Sequence, residues 1–293
     1  MCLETLESAA IRRDGDLFVQ KIDGLSVRLR EPFSLGFLRK FGTVFHVFDD
    51  QDSGNLCFGM EKEGARYFVK FAGAPTARGS TSPEQAVERL RSAVPVYRDL
   101  QHENLIELTW AGEIGGGYAA VFRWADGDCM GRMYPEAHRR FFMLPVCNRL
   151  SVYDAILRFL EHTAACGYVA VDFYDGSVLH DASTGKTTIC DVDFFRRLPC
   201  VNDMGRMWGS SLFQSPEEYR LGAAIDELTN VYTAGAFAFA LFGGYRRGRE
   251  SWELPDSLYA AALRAVNADR ARRQPSLRAL REEWETALAH RMK

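Results

Sequence analysis

The chain has no C-x-x-C pair, no internal repeat, no low-complexity tract and no surplus of basic charge. Each absence removes a class of protein. Its seven cysteines, an odd number without paired spacing, form neither a zinc ribbon nor a disulfide framework, so reduced thiols are expected. A net charge of -3 argues against general nucleic-acid binding, because neutralising phosphates needs a basic surplus. The basic clusters "YRRGR" and "ADRARRQ" sit among acids and read as solvated surface. The opening "MCLETLESAAIRRDGD" carries early acids and no apolar run, so no secretory signal is expected. The most apolar segment, "VYTAGAFAFALFGG", is too short to span a bilayer and suits a buried helix. A soluble, cytoplasmic protein is the expectation, with neither nucleic acid nor membrane among its partners.

What is present is ordinary globular material. At 293 residues, 47% hydrophobic and 26% charged, the chain can build one large domain or two lobes with real cores. "FGTVFHVFDD", "NLCFGMEK" and "ARYFVKFA" have strand composition, with turn signals at "DQDSGN" and "EG". "TSPEQAVERLRSAVPVYRDL" turns helical behind a Ser/Thr-Pro-Glu start, and Pro95 should kink it or open a second piece. "LIELTWAGEI" and "GYAAVFRW" follow as strands across a "GGG" hairpin. After "ADGD" the texture changes. "LSVYDAILRFLEHTAACG" has helical spacing and a C-cap candidate in Gly167. A strand–loop–strand patch runs through "YVAVDFYDGSVLHDASTGKTTICDVDFF", and everything beyond about residue 215 reads as helix. The expected division is a β-rich lobe over 1–122 and a hinge with a helical lobe over 123–293.

Several polar residues interrupt these apolar runs. Lys70, flanked by aromatic and β-branched residues on a strand, has a buried stem and needs a charge partner. Glu84 and Glu88 lie one turn apart on the following helix, and spacing alone does not separate them; Glu88 is our choice. A strand Lys paired with a helix Glu is what a nucleotide site uses to hold α- and β-phosphates. The Ser53-Gly54 tip, one hairpin earlier, could offer backbone N–H groups to phosphates. Asp172 ends one apolar run and can accept a proton from an attacking hydroxyl. Asp191 and Asp193 follow about twenty residues later across a "TGK" turn, which folds both acid clusters to one edge. Two carboxylates at a strand end suit a divalent cation and a phosphate chain.

In this order, the strand Lys, helix Glu, "LQHENLI", hinge-like "FRWADGD", Asp172 loop, "ICDVDFF" and "MWGSSLFQSPEE" resemble the eukaryotic-type protein kinase superfamily, as a divergent bacterial-type member. The similarity spans roughly residues 38–284. It implies an α+β, bilobal protein kinase-like fold and an ATP- and Mg2+-dependent transfer to a hydroxyl, with a protein Ser/Thr or a small molecule as acceptor. It gives Lys70 the phosphates, Glu88 the positioning of Lys70, and Asp172 the role of base. Phe122, Trp124 and Asp128 of the hinge-like segment fall at the nucleotide. Asp191, six residues after Gly185, matches the metal-binding acid of D-F-G, with Asp193 as a second acid of the I-D-F-D kind; aligning "DFF" to D-F-G would swap the two. "SPEE" resembles A-P-E, Asn230 stands where the family has Asp, and Arg273 would pair with Glu217. The departures are specific. Ala170 and Val171 replace the His and Arg of H-R-D, Tyr174 replaces a lysine, and Ser177 replaces the metal-binding Asn, with Asp175 near enough to substitute. These losses leave open a scaffold that regulates a partner without transferring phosphate.

Overall fold

The structure, a computed structural model, describes residues 11–78 and 81–289. The opening segment read above for a signal lies, through residue 10, outside the described residues. Mixed α+β composition is borne out, with sheet concentrated in the first part and helix in the second. The chain separates into two compact units. The first runs to Arg98 and resumes over Ile106–Ala125; the second takes Asp99–Leu105 and everything from Asp126. Residues 99–105 therefore group with the second unit. The reason is local pairing: Ile189 N–H donates to Asn104 O (2.6 Å), and the Asn104 amide donates to Thr187 O (3.0 Å).

In the first unit, β1 (Arg12–Asp14), β2 (Leu17–Ile22) and β3 (Leu25–Leu29) form an antiparallel meander that the sequence reading did not single out. Next come β4 (Thr43–Phe48), β5 (Asn55–Lys62), β6 (Ala65–Ala72), helix α1 (Pro83–Asp99), β7 (Leu108–Ile114) and β8 (Gly117–Arg123). The five strands pair antiparallel in the order β4-β5-β6-β8-β7. The β7–β8 turn places Gly115 and Gly116 at φ 60° and 77°, the left-handed backbone that a tight hairpin requires. Val69 and Phe71 of β6 enter a core with Leu56, Phe58, Met60, Val27 and Leu29. Strand alternation then sends Phe68, Lys70 and Ala72 to the opposite face. Helix α1 is continuous through Pro95, so the expected kink does not divide it. Ser82 and Gln85 cap it reciprocally: Gln85 N–H donates to Ser82 Oγ, and Ser82 N–H to Gln85 Oε1.

The second unit holds β9 (Asp128–Cys129), α2 (Pro135–Phe142), α3 (Val146–Ala165), β10 (Tyr168–Val169), β11 (Val178–Asp181), β12 (Lys186–Ile189), α4 (Glu227–Gly243), α5 (Asp256–Ala265) and α6 (Leu277–Ala289). Gly167, at φ 77°, follows the end of α3 as expected of a helix terminator. Helix α4 is the apolar segment of the sequence and is buried along nearly its whole length. Asp226 caps it by accepting from Leu228 N–H at 2.9 Å. No helix among the described residues is long and apolar enough to cross a membrane.

The pair expected of Arg273 is formed. Its guanidinium donates two hydrogen bonds to Glu217, at 2.6 and 2.9 Å, with both side chains sealed from solvent. Burial pushes the Glu217 carboxyl up, but the hydrogen bonds and charge of Arg273 hold it below the usual carboxylate range. Neighbouring Glu218 goes the other way: burial raises its pKa to about 7, against hydrogen bonds from Ser215 N–H and Oγ–H. A raised folded-state value means stability present below pH 4.5 and lost as pH climbs through 7. Glu218→Gln should therefore remove a decline in melting temperature between pH 5 and 8, gaining on the order of 2 kcal/mol at the alkaline end. Parallel melting curves for both proteins across that range would refute it.

Candidate functional site

Lys70 is 8% exposed, on the face of the sheet opposite the main core of the first unit. Its register neighbours are Cys57 and Ala120, both small, which leaves lateral room for its stem. The helix acid is a correction. Glu88 is 69% exposed and takes hydrogen bonds from Arg91 (2.8 Å) and Ser92 (3.4 Å), so it serves the surface of α1 rather than Lys70. Glu84 is also exposed, its carboxyl held low by its own backbone N–H at the helix start and by Ser82. The buried stripe of α1 is Ala86, Leu90, Ala93, Val94 and Tyr97, and Glu84 and Glu88 lie across the helix from it.

The Ser53-Gly54 tip also differs from an open phosphate loop. Gly54 is buried at φ 82°, and a Cβ there would meet Thr81 and Ala86 side chains at 3.2 Å. Arg89 reaches the Ser53 carbonyl at 3.5 Å, and Asn55 N–H turns back to Ser53 Oγ at 3.4 Å. The tip packs on α1. Phe122 is buried on β8 against Tyr97, ring centroids 4.8 Å apart. Trp124 is half-buried, edge-on to Phe45. Asp128, in the second unit, is gripped by Arg140 of α2.

The acids of the second unit are brought together. Val178 pairs with Ile189 in the β11–β12 ladder, so Ser177 comes opposite Cys190, and Cys190 N–H donates to Ser177 O at 2.8 Å. That bond ties Ser177 to the corner where Asp191 sits. Phe173, one residue after Asp172, and Phe195, two after Asp193, pack edge to face with centroids 5.8 Å apart. Both rings also contact Phe159 of α3, and Phe173 contacts Phe237 of α4. Two buried phenylalanines thus stitch the Asp172 loop to the Asp191–Asp193 loop.

The backbone at both acids is unusual. Asp172 and Asp191 each have φ 59°, left-handed for a residue with a side chain. Such geometry costs about 1–3 kcal/mol per residue and persists only where the surroundings fix it. The surroundings here include Asn230 of α4, fully buried: its Oδ1 accepts from Ala170 N–H (2.8 Å) and its amide donates to Tyr168 O (3.4 Å). An amide supplies both the donor and the acceptor that this backbone needs, whereas a carboxylate supplies only the acceptor.

Tyr174 lies among the acids. Burial first, then the charges of Asp191, Asp172 and Asp175, push its phenol up, so it stays a neutral donor. Its ring rests on Gly176, where a Cβ would come within 2.5 Å of the ring. The Gly176 backbone in turn crosses Gly131 so closely that a Cβ on Gly131 would stand 2.8 Å from Gly176 Cα. Asp175 is buried and accepts from the Tyr245 hydroxyl at 2.7 Å. Burial lifts the Cys129 thiol to about 11, which marks it as a packed, unreactive group.

Among the described residues no cluster of three or more His, Cys, Asp or Glu could hold a metal by itself. Magnesium, however, is commonly bound through one or two carboxylates together with substrate phosphates. Ser177 is 1% exposed and its Oγ is buried without a hydrogen-bond partner, the kind of orphaned oxygen that a hard cation or its water would satisfy. With Asp191 exposed at the adjoining corner, these oxygens fit such an ion. Asn230 and Tyr245 join the expected residues through contacts 60 and 70 positions apart in sequence. Comparison with protein-family models finds no match for this chain, and a search of curated proteins finds none.

Proposed function

We propose that the chain is an ATP- and magnesium-dependent phosphotransferase of the bilobal protein kinase-like class, passing a γ-phosphoryl group to a hydroxyl, with a protein Ser or Thr as the preferred acceptor. The observation that carries this reading is the convergence in the second unit. Two carboxylates in left-handed backbone, on loops joined by Phe173 and Phe195, flank one phenol beside the orphaned Ser177 oxygen.

In this reading Asp172 orients the acceptor hydroxyl and takes its proton as the oxygen attacks. Asn230 fixes the backbone leading to Asp172, so the base does not drift. Asp191 and Ser177 would hold the magnesium ion, which when bound supplies charge neutralisation for the β- and γ-phosphates. Tyr174, a neutral phenol, can donate to an oxygen that approaches the acids. The resemblance leaves the phosphates to Lys70.

A second reading, a nucleotide-binding or empty regulatory scaffold, is favoured by one observation: Glu88 is engaged with Arg91 instead of serving Lys70. Thermal unfolding with ATP, with Mg2+ and with both tests the nucleotide step shared by the enzyme and a nucleotide-binding scaffold. Both together should raise the melting temperature by roughly 4–5 °C at about 100 times Kd. Asp191→Asn should abolish that rise more completely than Asp193→Asn. The reverse order would move the metal to Asp193, and no rise in the unaltered protein would contradict nucleotide binding.

A further inference from the structure

We propose that the surface built from residues 200–208 and 217–224 of the second unit docks an acidic peptide segment of a partner protein, one that also carries apolar side chains. Half of the exposed large hydrophobic side chains among the described residues fall in this short stretch: Val201, Met204, Trp208, Tyr219 and Leu221, with Trp208 52% and Leu221 69% exposed. Single exposed apolar groups are normal on any protein; their concentration on one platform is not.

The platform is a fixed structure. Asn202, fully buried, is its hub: its N–H donates to Ala223 O (2.9 Å), its amide donates to Gly205 O (2.8 Å), and its Oδ1 accepts from Met204 and Gly205 N–H (both 3.0 Å). Val201 pairs with Ala224, and Met207 N–H donates to Glu218 O (2.9 Å), which lays the two stretches side by side. Gln214 donates to Trp208 O and accepts from the Tyr219 hydroxyl, locating both aromatic residues.

Charge selects the occupant. Asp203 is taken by Arg196 (2.8 Å), and Glu217 and Glu218 are buried. Exposed Arg206 and Arg220 have no carboxylate partner among the described residues; Arg206 stands 5.9 Å from the Tyr219 ring. Trp, Tyr and Arg are the residues that dominate binding hot spots, and unpaired guanidinium groups beside them call for carboxylates. The apolar groups come from loops, a strand pair and the short 3-10 turn Pro216–Tyr219, not from one helix face of the kind that lies in a bilayer interface. An acidic peptide is therefore favoured over an anionic membrane. The inference is independent of phosphate transfer and is read by binding alone.

The test is a synthetic array of decapeptides combining Asp and Glu with Leu and Phe in many orders, with Lys-for-acid and Ser-for-apolar counterparts, probed with the full chain. Acidic, apolar peptides should be retained and both kinds of counterpart rejected, with retention falling as salt rises. The double variant Arg206→Glu/Arg220→Glu, and separately Trp208→Ala, should weaken binding at least tenfold while melting at the unaltered temperature. Absence of retention, a preference for basic peptides, or retention unchanged in both variants would overturn the proposal. So would dimerisation of the chain through these residues, or binding to phosphatidylserine vesicles in place of peptides.

Discussion

Asp172→Asn is expected to lower phosphate transfer by about 10²–10⁴-fold while leaving the ATP- and magnesium-dependent rise in melting temperature intact, because only the proton acceptor has been removed. The substitution keeps size and one oxygen, and the loop is held by groups it does not touch: Asn230 at Ala170, and the ring of Phe173 against Phe159, Phe195 and Phe237. Its stability should therefore change little. Side-by-side rates and melting curves decide the matter. Transfer unaffected by the substitution would remove Asp172 as the base, and a transfer rate at background in both proteins would favour the scaffold.

The largest stability effect belongs to Arg273. Arg273→Ala strands the Glu217 carboxylate in a site where both partners are sealed from solvent, and breaking a pair of that kind costs about 3–5 kcal/mol. Arg270, 2.9 Å from the same carboxylate, remains and keeps the loss toward the lower end. Arg270 is itself partly exposed, so Arg270→Ala should cost about 1 kcal/mol. Glu217→Leu combined with Arg273→Met should be milder than either single change, since two apolar groups leave no buried charge behind. Urea denaturation of the set gives the ranking; equal losses for Arg270→Ala and Arg273→Ala would show that the pair does not hold this region together.

These two residues also show what the sequence could convey. Arg273–Glu217 was legible through the order of motifs alone, and α4 was legible because an all-apolar stretch of that length has to be buried. The alternation of β6 put Lys70 opposite Val69 and Phe71, a purely local consequence of strand geometry. Glu88 turns on a local feature as well. Spacing places it beside Glu84, but the apolar stripe at Ala86, Leu90 and Val94 decides the face and turns both acids outward. At the Ser53-Gly54 tip, composition gives a turn and not what the turn leans on. Tyr245, between a glycine pair and Arg246-Arg247, carried no local sign that its hydroxyl reaches Asp175. Contacts of that kind arise from tertiary packing across 70 residues, and no periodicity encodes them.

Phosphorus NMR of ATP mixed with the full chain and Mg2+ tests the central proposal most directly. The account predicts steady loss of the γ-phosphorus signal, matching growth of ADP together with a phosphoester or inorganic phosphate, and arrest of the reaction when the metal is chelated. ATP that stays intact over the same period, in a sample where it demonstrably binds, would contradict it.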